Sequence, residues 1–351
     1  MIPSETASAI NMIRESARGI VKSGDLKRVR DLRFKGSGFS QETWTEMCQL
    51  GWPALRVAED EGGIGLGALP YCALAEELGR GLVPEPLIPA IVAAALLTGD
   101  ELTRHLAGER LVIPAWQDAR DSLLPTAPLQ LQDGKVTATK LYVPSAESAD
   151  AFLVLGPRDA VLVPADAPGV SVEPVATQDG GSLATIRFEA ASGTAFEANP
   201  GPALAEAALA SAAYLLGVMD AALEITVAYL KTRVQFGKPI GTFQVLQHMA
   251  VDLKCEVEVT RASIEAAAVE LDREGHTRNS EASISRAKAR VSTAALKVTR
   301  DCIQLHGGIG FTEEHDIGLF LRKAMVVAAQ FGSAGRHRAN FARLKPAREF
   351  A

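Results

Sequence analysis

Arg233-Val-Gln-Phe-Gly-Lys-Pro-Ile-Gly-Thr-Phe243-Gln244 separates two long helical patterns by a short glycine-bearing turn. Downstream of it, positions 243, 246, 250, 253, 257, 260, 264, 267 and 271 follow alternating steps of three and four, and Thr260 is their only polar member. That spacing predicts one sustained helix with an apolar seam for packing against other helices. Upstream, residues 203 to 232 are Ala-rich, and their small side chains allow close helix approach. Residues 281 to 305 predict a third long helix, so the C-terminal part reads as a helical bundle.

Working outward, the texture changes twice. Up to about residue 108 apolar positions recur at three-and-four spacing, broken by Glu61-Gly-Gly-Ile-Gly-Leu-Gly67. Between about 109 and 198, short apolar runs such as Phe152-Leu-Val-Leu155 and Ala160-Val-Leu-Val163 alternate with Asp133-Gly134, Pro164, Pro168-Gly169 and Gly180-Gly181. This predicts a small antiparallel sheet domain. The expected organisation is an α+β, mainly α chain: an N-terminal helical domain over 1–108, a middle β domain over 109–198, and a C-terminal four-helix bundle over 199–351.

Composition excludes several classes. With 351 residues and 47% hydrophobic content the chain can bury a large core. A net charge of -6 supplies no global basic field, so no nucleic-acid partner is expected. Long uncharged runs such as Pro86 to Gly99 and Ala207 to Met219 fall short of the roughly 20 apolar residues that cross a bilayer. No secretory signal pattern opens the sequence, and the expectation is a cytoplasmic protein with no membrane association. Cys48, Cys72, Cys255 and Cys302 form no CxxC pair and read as buried thiols. The six histidines show no pair at three or four spacing, so no metal site is expected.

Two blocks carry chemistry. An arginine that ends one helix, just before a turn opening the next, can grip a diphosphate bidentately while the new helix's first amides add a favourable dipole. Arg233 is so placed, although it also suits a simple helix cap, with Phe236 and Phe243 as core. The second block is Gln304-Leu-His-Gly-Gly-Ile-Gly-Phe311. Glycines after a helix let backbone amides approach a nucleotide, and Gln304 offers a side-chain amide. A plain glycine C-cap at Gly307 and Gly308 is the alternative.

Together, in this order and spacing, the blocks resemble the acyl-CoA dehydrogenase family. Leu50-Gly-Trp-Pro-Ala, Glu61-Gly-Gly-Ile-Gly and Glu76-Glu-Leu-Gly-Arg80 resemble its first domain. The resemblance implies α,β-desaturation of an acyl-CoA, FAD as cofactor and electron-transfer flavoprotein as electron acceptor. It implies that Arg233 contacts FAD held by a neighbouring subunit, that Gln235, Phe236, Ile240 and Phe243 line the cofactor with Gln244 at its edge, and that Gln304, Gly307 and Gly308 meet its nucleotide end.

Three departures matter. Where the family carries an aromatic-Glu-Gly-Thr stretch supplying its usual base, this chain reads Gln330-Phe331-Gly332-Ser333, and Phe331 cannot accept a proton. The family's Thr-Glu-Pro...Gly-Ser-Asp loop is replaced by Ala115-Trp116-Gln117-Asp118-Ala-Arg-Asp-Ser122. Its Lys-x-Trp-Ile-Ser/Thr-Asn stretch appears as Lys140-Leu-Tyr142-Val-Pro144-Ser145, where Pro144 cannot donate an N–H. Contacts to the chain's own flavin look lost, while contacts across an interface look kept. Some relatives place the base on an earlier helix near Glu206, a position that reads here as a solvated acidic residue. No catalytic residue is therefore assigned. The expectation is the non-catalytic subunit of an α2β2 heterotetramer that shares FAD with a second, glutamate-bearing relative, in fatty acid or steroid side-chain catabolism. A flavin monooxygenase of the same fold, or a non-enzymatic interaction protein, are the alternatives.

Overall fold

A computed structural model describes residues 3–22 and 24–345. Six helices come first: α1 (Ser4–Ile20), α2 (Lys27–Leu32), α3 (Gln41–Gln49), α4 (Ala68–Arg80), α5 (Leu87–Ala94) and α6 (Gly99–Leu106). Eight strands follow: β1 (Val112–Ala115), β2 (Gln130–Gln132), β3 (Lys135–Pro144), β4 (Ala151–Leu155), β5 (Asp159–Pro164), β6 (Val170–Ala176), β7 (Ser182–Ser192) and β8 (Thr194–Glu197). Helix α7 (Gly201–Thr232) leads into a minimal hairpin, β9 (Val234–Gln235) and β10 (Lys238–Pro239), and then α8 (Gln244–Glu274), α9 (Arg278–His306), α10 (Ile317–Val327) and α11 (Ala334–Leu344).

The chain forms two packing units that cut across the three expected segments. One comprises Met1–Val29, Ala68–Val83 and Ala208–Ala351, and the other Arg30–Gly67 and Pro84–Ala207. Helix α4 thus packs with the C-terminal bundle, not with the helices that flank it in sequence.

In the first unit the seam read from Phe243 onward is the buried stripe of α8. Leu253, Val257, Thr260, Ile264, Ala267 and Leu271 are all buried, and Thr260 satisfies its hydroxyl on the Glu256 carbonyl at 2.7 Å. This stripe meets α9 and α4, and α9 in turn packs on α10 and α11. Helix α9 starts at a capping box, Thr277 with Ser280, which supplies partners for two first-turn amides. Helix α7 is long and apolar enough to cross a bilayer by length and composition, but 89% of that apolar window is buried inside the chain. Glycines set its approach to α4: a Cβ at Gly217 would lie 1.9 Å from the Glu76 carbonyl oxygen, and one at Gly79 would lie 1.9 Å from that of Tyr214. Around this crossing Arg261 pairs with Glu76 at 2.5 Å and Arg80 with Asp220 at 2.7 Å, tying α4, α7 and α8 together.

In the second unit the strands make two four-stranded sheets, ordered β1-β4-β5-β8 and β2-β3-β7-β6. The second is antiparallel throughout, but in the first β1 pairs with β4 in parallel, which corrects the purely antiparallel expectation. Parallel neighbours need a long crossover, and the chain supplies it by building β2 and β3 of the other sheet between them. Strand β4 is buried at every residue, as its unbroken apolar run requires.

Cys48, Cys72 and Cys302 are buried, whereas Cys255 on α8 is exposed, contrary to the expectation that all four are. Burial raises the Cys48 thiol pKa to about 12 and that of Cys302 to about 11.

Candidate functional site

The quoted turn folds into the β9–β10 hairpin. Its two central residues, Phe236 and Gly237, have φ of 53° and 80°, the left-handed pair that a two-residue hairpin needs. Glycine adopts this freely, whereas phenylalanine does so under strain. The Arg233 carbonyl accepts from Ile240 N–H at 2.8 Å, closing the hairpin base, and the Gln247 side-chain amide donates to the Gly241 carbonyl at 2.9 Å.

Within this frame Arg233, Gln235 and Gln244 are exposed, and Ile240 and Phe243 are half-buried. Phe236 is 91% exposed, so it is not core. It meets Phe243 edge-on at 6.1 Å, while Lys238 Nζ lies 4.5 Å from the centre of the Phe243 ring. Among the described residues Arg233 has no side-chain hydrogen bond or ion pair. The first turn of α8 carries no acidic residue, and of its amides those of Leu246 and Gln247 donate to the Phe243 carbonyl at 3.0 and 3.2 Å. Val234 and Val245, on either side of the hairpin turn in sequence, and Ile309 and Phe311 of the second block are also exposed.

The two sequence blocks are brought together by His306 of the glycine block and by Tyr229 and His315, which sequence reasoning missed. Tyr229, one turn before Arg233, stacks on His306 with ring centroids 4.5 Å apart, and His315 lies 4.5 Å from His306 and 6.0 Å from Tyr229. His306 Nδ1 bonds the Cys302 carbonyl at 2.8 Å. Burial lowers the His306 pKa; the Cys302 carbonyl works the other way and His315 adds to the lowering. Gly307 has φ of 63°, and a Cβ at Gly307 or Gly308 would meet nothing within 4 Å, so the backbone there faces open space. Gln304 is exposed beside it. An aromatic before Arg233 and a histidine before the glycines were the only available signals.

Phe331 lies between α10 and α11 with φ of 54°, followed by Gly332 at 102°. Ser333 caps α11, its Oγ accepting from Arg336 N–H. The Phe331 carbonyl accepts from His337 Nε2 at 2.8 Å. Behind this segment Lys288 is fully buried on α9 and donates to the Val327 carbonyl at 3.0 Å, and burial lowers its pKa to about 7. This lysine, too, was not singled out from sequence.

In the second unit the loop after β1 is engaged internally. Asp118 accepts from buried Lys140 and from the amides of Thr126 and Ala127, and Lys140 also donates to the Leu155 carbonyl at 2.7 Å. Burial by itself would raise the Asp118 pKa, but Lys140 and the two amides outweigh it and hold the carboxyl low. Pro144 sits in the β3–β7 ladder opposite Leu183, and a bulge between Lys140 and Val143 leaves Tyr142 exposed with φ of 57°. Glu206 is not the solvated residue expected: Arg56 grips it through two bonds of 2.7 Å. That bidentate pair commits the carboxylate to structure.

A family model for the acyl-CoA dehydrogenase C-terminal domain matches residues 201–344, and one for the acyl-CoA dehydrogenase N-terminal domain matches residues 8–101. The chain belongs to the acyl-CoA dehydrogenase family. It is 31% identical over 346 residues to acyl-CoA dehydrogenase FadE34 of Mycobacterium tuberculosis H37Rv, covering 95% of this chain and 47% of FadE34, so it spans about half that relative's length. With acyl-CoA dehydrogenase IpdE2 of the same organism it shares 31% identity over 323 residues, covering 89% of this chain and 90% of the relative. Among solved structures, the Tcur3481-Tcur3483 steroid ACAD G363A variant is 30% identical with a TM-score of 0.84, covering 97% of each chain. As an acyl-CoA dehydrogenase family member the chain has the helical, β and helical element order that its motifs imply.

Proposed function

We propose that this chain is the non-catalytic subunit of a flavin-dependent acyl-CoA dehydrogenase, presenting the Arg233–Gln244 hairpin to FAD held mainly by a related, glutamate-bearing partner. The observation that carries this reading is the hairpin itself, where Arg233, with no side-chain partner among the described residues, stands beside a strained Phe236 that is 91% exposed. Similarity to a steroid ACAD described by two paired components supports both the heteromer and a bulky acyl-CoA substrate.

The residues present suit one end of FAD. Arg233 and the first amides of α8 would meet the diphosphate, the open backbone at Gly307 and Gly308 would admit the nucleotide, and Gln304 would hydrogen-bond it. The flavin-ring end fits poorly: Asp118 is committed to Lys140, and Pro144 has no N–H to offer. When bound, FAD supplies the hydride acceptor for substrate desaturation, and electron-transfer flavoprotein is the proposed recipient of the electrons. This chain's part is to hold the cofactor's phosphates and exclude water from them. The α-proton must go to a carboxylate, and Phe331 offers none, so the partner provides the base.

Introducing Phe331→Glu into the isolated chain tests the assignment. No acyl-CoA turnover is expected, because a base without a held acceptor leaves the hydride nowhere to go. Substantial turnover by that single variant would contradict a non-catalytic role.

A further inference from the structure

A cleft of about 390 Å³ opens between α8, α9 and α11, in a part of the molecule that the flavin reading does not use. Arg286, Arg290 and Lys297 of α9 and Arg338 of α11 converge on it, against one lining carboxylate, Glu256 of α8. The α9 cations fall at steps of four and seven, so the helix itself aligns them on one face. Phe341 forms an aromatic wall, and the small Ala289 and Ala294 leave the floor open.

The cations are under-neutralised. Arg290 donates to Glu256 at 2.8 Å through Nη2, but its Nε–H is buried with no hydrogen-bond partner. Lys297 pairs with Asp301 at 2.9 Å. Arg338 is oriented by a neutral group, donating to the Thr293 hydroxyl at 2.7 Å. Among the described residues Arg286 has no carboxylate partner. Two carboxylates therefore serve four cations around a concavity, an arrangement whose self-repulsion a bound polyanion relieves. Guanidinium groups match phosphate oxygens bidentately, and an aromatic wall suits a planar base. The cleft's size lies in the small-ligand range of about 300–1,000 Å³.

We propose that this cleft binds a nucleotide with at least two phosphates, its diphosphate held by Arg286, Arg290 and Arg338 and its base against Phe341. The site is separate from the Arg233 hairpin and does not depend on the subunit assignment.

Calorimetric titration of the chain with ADP, pyrophosphate and adenosine tests it. ADP should bind saturably, pyrophosphate more weakly, and adenosine not measurably. Arg286→Ala and Arg338→Ala should each weaken ADP binding roughly tenfold, the scale of one charge-assisted hydrogen bond. Phe341→Ala should weaken ADP but leave pyrophosphate unchanged, and Arg233→Ala should leave ADP binding intact. Absence of saturable ADP binding would overturn the proposal. So would ADP binding that survives both cleft variants but is lost in Arg233→Ala, which would assign it to the hairpin.

Discussion

At position 236 the chain holds a phenylalanine in a left-handed conformation and leaves it 91% exposed, a placement costing about 1 kcal/mol against which an edge-on contact with Phe243 is set. Such a residue makes sense against a surface outside the chain, and in the function proposed here Arg233 beside it would meet an anion. If Arg233 clamps a diphosphate in the assembled complex, Arg233→Ala should weaken flavin retention by about 1.5–3 kcal/mol, the worth of a charged hydrogen bond. Flavin affinity measured by dialysis of the complex checks this, and unchanged occupancy would count against the clamp. Arg233 and the glycine pair could be singled out because their chemistry depends on local order along the chain. The Tyr229, His306 and His315 stack could not, since it depends on contacts between residues far apart in sequence. Glu206 was misjudged for the same reason: its partner Arg56 lies on a distant segment.

Among the elements, the long helices were the most legible. Their three-and-four periodicity persists over many turns, and the α8 stripe is buried from Leu253 to Leu271 as the spacing implies. The parallel β1–β4 pair was not legible, because short apolar runs do not reveal which neighbour they will meet. Two expectations belong to this scale. Gly217→Ala would drive a Cβ into the Glu76 backbone and force α4 and α7 apart, so it should cost about 3 kcal/mol, read as a lowered denaturation midpoint. Lys288 concerns pH. Its folded pKa is about 7, well below that of an unfolded lysine, so between about pH 7 and pH 10 the unfolded state holds the extra proton and stability rises with pH. Below pH 7 the folded state must carry a buried charge. Lys288→Met should therefore flatten this alkaline rise and stabilise the protein by about 1–3 kcal/mol at pH 6, as seen in thermal midpoints across pH. A wild-type midpoint that falls from pH 7 to pH 9 relative to the variant would contradict the assignment.

For the whole molecule, family and element order could be read from spaced motifs, but the packing units could not, since α4 joins the C-terminal bundle through glycine-mediated contacts. The hairpin and the glycine block, which suit the nucleotide end of FAD, both lie in the first unit, and the loop that would cradle a flavin ring in the second unit is occupied by the Asp118–Lys140 pair. Self-association would repeat the same half-site in each copy and complete none. Released flavin measured against protein tests this most directly, for the chain purified alone and co-expressed with a glutamate-bearing relative. The account predicts little or no FAD in the first preparation and about one FAD per heterodimer in the second, as expected for a shared site. Stoichiometric FAD in a preparation of this chain alone would contradict it.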